Sequence, residues 1–322
     1  MTGEMFSFRR LALLSTIATL VLVSIGGLVR ATESGLGCGP DWPVCNGKVI
    51  PLFSSYTVTI EFAHRFVAGI VVVLLALLVA RALREHRDRP RLVRTSFAAL
   101  GLVLFQAALG AVVVKLHLEA ESVVLHLATA MVLVGLLVYI TAAASVAEGR
   151  AAPAGDARAS RQAWIAAWST LGLLLLGSWL SGRDAGYVFT DWPLMGGRII
   201  PDLTVEARAL HFLHRILAVV VGGVVLATML PILKRKKEFP VAAKFAHAAV
   251  GLFGIQILLG ALNIWTRFNA SVAANSASVA LHLAVGALTW AALVGAAVVT
   301  RPTLVKEVSV RHAAEPALGA SR

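Results

Sequence analysis

The chain has 322 residues, 58% of them hydrophobic and 14% charged, with a mean hydropathy of +0.81. That composition excludes an ordinary soluble core and points to a membrane protein. The net charge of +12 follows from basic residues gathered on one side of a bilayer with anionic lipid, and gives no reason to invoke nucleic acid.

Eight apolar runs of about 20 residues are each long enough to cross a bilayer. They cover 11–30, 60–80, 96–115, 123–144, 163–181, 208–232, 241–264 and 277–299. Arg9 and Arg10 precede the first run, as in a signal peptide, but no small-residue cleavage site follows. The run is therefore kept as a structural helix.

The segment 31–59 carries both cysteines of the chain, Cys38 and Cys45. On the outer, oxidising side a disulfide is the natural reading. It is either a staple for the loop around Asp41-Trp42-Pro43 or a redox pair that exchanges with a partner thiol. Trp42 suits the membrane interface and Pro43 ends regular structure. The loop could also close as a lid.

The second run opens with Glu61, His64 and Arg65. A basic segment follows, with Arg81, Arg84, Arg87, Arg89, Arg91 and Arg94 and a solvated His86. The third run carries Gln106 and Gly110 and ends near His117, and the fourth begins with His126.

An Ala, Gly, Arg and Pro-rich stretch at 148–162, with Arg150, Arg158 and Arg161, reads as a linker. Beyond it the sequence repeats itself. Asp191-Trp192-Pro193, Gly197, Pro201, His214-Arg215, Gln256 and Gly260 answer Asp41-Trp42-Pro43, Gly47, Pro51, His64-Arg65, Gln106 and Gly110, each 150 positions on. His282 stands in the phrase Leu281-His282-Leu283-Ala284, as His126 stands in Leu125-His126-Leu127-Ala128. Val188 and Met195 replace the cysteines, and His211 replaces Glu61. His247 lies opposite Phe97 and has no repeat partner.

The expected fold is an all-α membrane protein with eight transmembrane helices as two pseudo-symmetric four-helix bundles. The halves are 1–147 and 163–302, joined by the cytoplasmic linker 148–162 and followed by a disordered tail, 303–322. Lys234, Arg235, Lys236 and Lys237, with Arg301 and Lys306 in the tail, fall on the same side as the other basic segments. The positive-inside rule makes that side cytoplasmic, with both termini inside. Each half has an even number of spans, so the repeat is parallel.

His64, His126, His214 and His282 all lie within about the first two turns of their runs, counted from the outer side. Intramembrane ionisable residues are costly and mark function by default. A single helical histidine is more often a hydrogen-bonded structural residue, but here four come in two matched pairs. Two imidazoles on facing helices can hold a haem iron from both axial faces. Zinc or copper would want a further close ligand, and no Cys, Met or carboxylate is repeated to supply one. Two haem sites result, His64 with His126 and His214 with His282. Arg65 and Arg215 either contact haem propionates or snorkel to the interface. His86, His117, His247 and His312 are read as structural or solvated.

Glu61 lies one turn before His64 and shares its helix face. It is either an acid/base beside a haem or a carboxylate paired to Arg30, Arg65 or an interfacial amide. Its absence from the second copy places the chemistry in the first half and an electron relay in the second.

Eight spans, Glu61-x-x-His64-Arg65, the Cys38/Cys45 loop, Asp-Trp-Pro in both halves, His126, His214 and His282 together resemble the heme A synthase family. The segment Gly182-Arg-Asp-Ala-Gly186 followed by Asp191-Trp-Pro-Leu194 looks especially similar to it. The resemblance spans about residues 10–300 and shows no departure at the ligand positions. It implies a plasma-membrane enzyme that oxidises a methyl group of haem O to the formyl group of haem A for cytochrome oxidase. It also implies substrate haem on His64 and His126, a permanent haem b on His214 and His282, Glu61 as the catalytic carboxylate, and Cys38/Cys45 as the family's cysteine pair. The partners implied are the haem O synthase that supplies the substrate and an electron acceptor, a quinone or redox protein. A homo-oligomer stays open. The rival readings are a diheme b-type membrane electron carrier or quinone oxidoreductase subunit, and a haem transporter or chaperone.

Overall fold

A computed structural model describes residues 7–40, 42–149 and 155–302. The tail from 303, with Lys306 and His312, lies outside the described residues, as do Asp41 and Arg150. Eight helices follow in order: α1 (Phe8–Ala31), α2 (Tyr56–Glu85), α3 (Pro90–Lys115), α4 (Ala120–Ala147), α5 (Ala157–Gly182), α6 (Glu206–Lys234), α7 (Pro240–Asn269) and α8 (Val272–Val299). A short 3-10 turn, Ala185–Tyr187, follows α5. All eight are long and apolar enough to cross a membrane, and no strand occurs among the described residues.

The helices contain the apolar runs and extend beyond most of them, because polar residues at the ends cap or continue the helix. The Ser55 hydroxyl accepts from the Val58 N–H and starts α2 four residues before its apolar run. Ser271 does the same for α8 through Ala274 N–H. Pro90 and Pro240 open α3 and α7, where the missing N–H costs nothing. Because α8 starts at Val272, His282 sits about three turns from its N-terminal end, deeper than its apolar run suggested.

Neighbour relations repeat along the chain. Helix α1 packs on α2 and α4, and α3 packs on the same two, which closes a ring of four. Helices α5 to α8 close a second ring in the same order. The rings meet through α1 and α4 against α5 and α8. Small residues allow this approach, as is usual where helices pack in lipid. A Cβ on Gly135 of α4 would lie 2.6 Å from Trp290 of α8, and one on Gly27 of α1 would lie 2.9 Å from Leu283. Polar ties reinforce the seam: Arg30 Nη2 donates to the Ser181 carbonyl at 3.1 Å, and Ser276 Oγ to that of Ala31 at 2.9 Å.

At the opposite end of the helices from the loops of 32–55 and 183–205, the Asp156 carboxylate caps α5 through Ala159 N–H at 2.9 Å and pairs with Arg235 at 2.6 Å. The amide first, and then the guanidinium, hold the Asp156 carboxyl below the usual carboxylate range.

Trp290 is 2% exposed, so its ring has no room to retreat from a larger neighbour. Gly135→Ala should therefore cost about 1–3 kcal/mol through overpacking. Gly69→Ala, where nothing lies within 4 Å of the added carbon, should cost nothing. Thermal unfolding in detergent compares the two; equal midpoints would contradict this packing.

Candidate functional site

The four histidines stand on α2, α4, α6 and α8. Helices α2 and α4 lie across the first ring from one another, and α6 and α8 across the second. His64 and His126 are within electrostatic reach of each other, and so are His214 and His282. The structure thus brings together the two pairs expected from the sequence.

Each imidazole leans on a glycine of an adjacent helix. A Cβ added to Gly26 of α1 would lie 3.3 Å from His64 Cε1, and one on Gly177 of α5 would lie 3.0 Å from His214 Cε1. Gly110 of α3 stands in the same way to His126 at 3.4 Å, and Gly260 of α7 to His282 at 3.5 Å. Glycine at these four places lets the edge of a ring approach the neighbouring backbone. Gln106 donates from Nε2 to the His126 carbonyl at 2.9 Å, and Gln256 to the His282 carbonyl at 2.8 Å. The repeated Gln and Gly, four residues apart, therefore share one helix face and set the second histidine of each pair from two sides. Thr129 Oγ1 donates to Gln106 Oε1 at 2.5 Å. Val285 holds the corresponding place on α8, and the buried Gln256 Oε1 has no partner.

All four histidines are half-buried, and Nδ1 of each is buried with no well-aligned hydrogen bond among the described residues, although the Leu22 and Gln256 backbones approach His64 and His282. An unsatisfied polar atom in an apolar bundle costs about 1–3 kcal/mol; His211 Nδ1 is in the same state, so it is the matched pairing of the other four that calls for an explanation. Among the described residues no cluster of three or more His, Cys, Asp or Glu side chains is placed to hold a metal ion. Two imidazoles fit a metal that brings its own in-plane donors, as a haem does. The residues present fit such a group in each ring.

Above the first ring lies the loop of 32–55. Cys38 and Cys45 form a disulfide and are almost fully buried against Val58 and Phe62. Glu61, 4% exposed, lies directly beneath. Its Oε2 accepts from the Cys38 backbone N–H at 2.6 Å, and its Oε1 pairs with Arg65 Nη2 at 2.6 Å. Arg65 Nη1 donates to the Val44 carbonyl at 2.7 Å. Of the arrangements open at the sequence level, the carboxylate is found paired, to Arg65 and to a loop amide. The amide belongs to a cysteine, a contact no spacing could have shown.

The second loop, 183–205, is built alike. Cys45 N–H donates to the Lys48 carbonyl and Met195 N–H to that of Arg198, both at 2.8 Å. Trp42-Pro43 and Trp192-Pro193 are both cis. Arg215 Nη1 donates to the Leu194 carbonyl at 2.8 Å, the counterpart of Arg65 on Val44, and its Nη1 and Nη2 reach the Asp191 carbonyl at 3.2 and 3.1 Å. His211 takes the place of Glu61: its Nε2 accepts from Arg215 Nε at 3.0 Å. Phe189 covers His211, with ring centroids 5.4 Å apart, and Met195 is buried where Cys45 lies in the first loop.

Of the remaining histidines, His86 packs edge-on against Phe8 and His247 Nδ1 lies 2.9 Å from its own helix at Ala243 O. His117 ends α3 with a positive φ of 52°. None of the three joins either pair.

A family model described as COX15-CtaA, cytochrome oxidase assembly protein, matches residues 9–294. Curated relatives include proteins named heme A synthase. One from Alkalihalophilus pseudofirmus is 27% identical over 298 residues, covering 91% of this chain and 97% of the relative. One from Symbiobacterium thermophilum is 28% identical over 270 residues, covering 80% and 86%. One from Staphylococcus aureus is 27% identical over 275 residues, covering 84% and 90%.

The Asp191 carboxylate accepts from the Gly196 and Gly197 amides at 2.8 Å each. These amides, Gly197 first, hold its carboxyl below the usual carboxylate range. A depressed folded value means the restraint is complete above the unfolded value of about 4 and fades only as pH falls through the lower folded one. Hydrogen exchange should show protected Gly196 and Gly197 amides down to about pH 4, lost at lower pH. Asp191→Ala should lose the protection at every pH. Retained protection in that variant would remove the aspartate from the loop's support.

Proposed function

Because the chain belongs to the COX15-CtaA family of cytochrome oxidase assembly proteins, we propose that it is a multi-pass membrane enzyme of haem A biosynthesis. It oxidises a methyl substituent of haem O to the formyl group of haem A. The observation that carries this reading is the pairing of two matched histidine sites with a carboxylate, Glu61, in one of them alone. An electron carrier or haem chaperone needs the paired histidines but does not require a carboxylate placed for proton transfer beside one of them.

In this reading residues 1–147 form the substrate half and residues 163–302 the cofactor half, with the linker and both termini cytoplasmic. His64 and His126 hold haem O, with Gly26 and Gly110 giving their rings room. His214 and His282 hold a haem b, which supplies one-electron transfer when bound. Gln106 and Gln256 fix the helix turns that carry the second ligands.

Converting the methyl to the formyl group takes two successive oxidations, through an alcohol and a hydrated aldehyde that loses water. With water as the oxygen donor, the methyl group and one net water together release four electrons and four protons. Glu61 accepts a proton and stabilises the cationic character that develops at the carbon. Its pairing with Arg65 and the Cys38 amide holds the carboxylate at the rim and keeps it from drifting into lipid. The disulfide loop covers this end and restricts water. Electrons pass through the second half to a quinone or a redox protein.

Glu61→Gln should keep both haems and lose at least about a hundredfold in haem A formation. His64→Ala should lose haem O and keep haem b, and His214→Ala the reverse. Bound pigments are identified by solvent extraction and chromatography. Normal turnover in the first variant would remove Glu61 from the chemistry, and loss of the same haem from both histidine variants would sink the two-site reading.

A further inference from the structure

The two outer clamps are matched in geometry but differ in charge. In the first ring Glu61 neutralises Arg65 at 2.6 Å. In the second, the hydrogen-bond acceptors of Arg215 are neutral: His211 Nε2 and the carbonyl oxygens of Asp191 and Leu194. An imidazole nitrogen that accepts from a guanidinium N–H carries no proton, so His211 is neutral here. The face of Phe189 lies 5.8 Å from the Arg215 guanidinium. The Asp191 carboxylate is within electrostatic reach but is bonded to Gly196 and Gly197. An aspartate also stands at the corresponding place in the first copy, so it does not distinguish the two.

One more uncompensated positive charge therefore lies beside His214 than beside His64. We infer that the exchange of Glu61 for His211 orders the reduction potentials of the two sites. The haem on His214 and His282 is the more easily reduced, and His211 is the positioning residue that keeps Arg215 in place without neutralising it. Ferric haem takes up one electron and loses one unit of positive charge on becoming ferrous. A fixed guanidinium nearby favours that product, and a carboxylate paired with the guanidinium cancels the effect. Electrons leaving the first site then run downhill to the second. This ordering rests on the haem-site reading above.

The test is a mediated redox titration of the purified, haem-loaded protein, followed by its optical bands, with His214→Ala identifying the second-site signal. His211→Glu should lower the midpoint of that site, so that its ferrous-to-ferric ratio at a fixed ambient potential falls about tenfold. His211→Gln, which keeps a neutral acceptor for Arg215, should leave it in place. Glu61→Gln should shift the first site in the opposite direction, upward, and this variant decides the matter if His211→Glu does not retain haem. A His211→Glu midpoint equal to that of the unaltered chain overturns the ordering, as does a His211→Gln shift of the same size, which would point to geometry and not charge. An unaltered chain with no haem at His214 and His282 overturns the site reading itself, and the ordering with it.

Discussion

One arginine ties the loop before each ring's first histidine to its ring of helices, and that tie frames the arrangement around the histidines. Beyond local turns and the Cys45–Lys48 bridge, carbonyls of these loops such as those of Val44, Leu194 and Asp191 take donors from side chains. Arg65 on Val44 and Arg215 on Leu194 and Asp191 supply them. The same guanidinium needs an acceptor on its own helix four residues earlier, and the two copies differ there. Glu61 answers with a negative charge and also reaches the Cys38 amide. His211 answers with a neutral nitrogen. A common frame can therefore hold two similar pigments in different electrostatic settings.

Within the rings the controlling feature is room. Gly26, Gly110, Gly177 and Gly260 each lie against the edge of one imidazole, and larger side chains there would push the rings away from the centre. Gln106 and Gln256 anchor the backbone of the second histidine in each pair. Two constraints, one on the ring and one on the main chain, fix the direction of a donor more tightly than either alone. In the proposed reading this keeps two axial ligands facing each other across a four-helix ring.

Much of this was legible in the sequence. Eight runs of bilayer length gave eight helices, since nothing but a helix or a closed barrel satisfies the backbone in lipid. The 150-residue repeat marks the first histidine of each pair, the paired arginines and the Gln–Gly couples, the shared phrase Leu-His-Leu-Ala marks the second histidine, and Cys38 and Cys45 are joined in the disulfide expected of them. Helix ends were less legible, because Ser55 and Ser271 act as caps outside the apolar runs. The glycine seats at Gly26 and Gly177 have one weak signal in the sequence, a spacing of 151 positions close to the repeat. A glycine in an apolar helix reads as packing unless its neighbour across the gap is known. The contact of Glu61 with the Cys38 amide had no sequence signal, since it depends on how a loop folds back over 23 residues.

The central claim is that the first ring performs ring-substituent chemistry on a haem, beyond holding one. The most direct measurement is the pigment content of the purified chain after co-expression with a source of haem O, resolved by chromatography and mass. The account expects haem A or its hydroxylated precursor, together with haem b. Haem O unchanged beside haem b, with electron acceptor present, would contradict it.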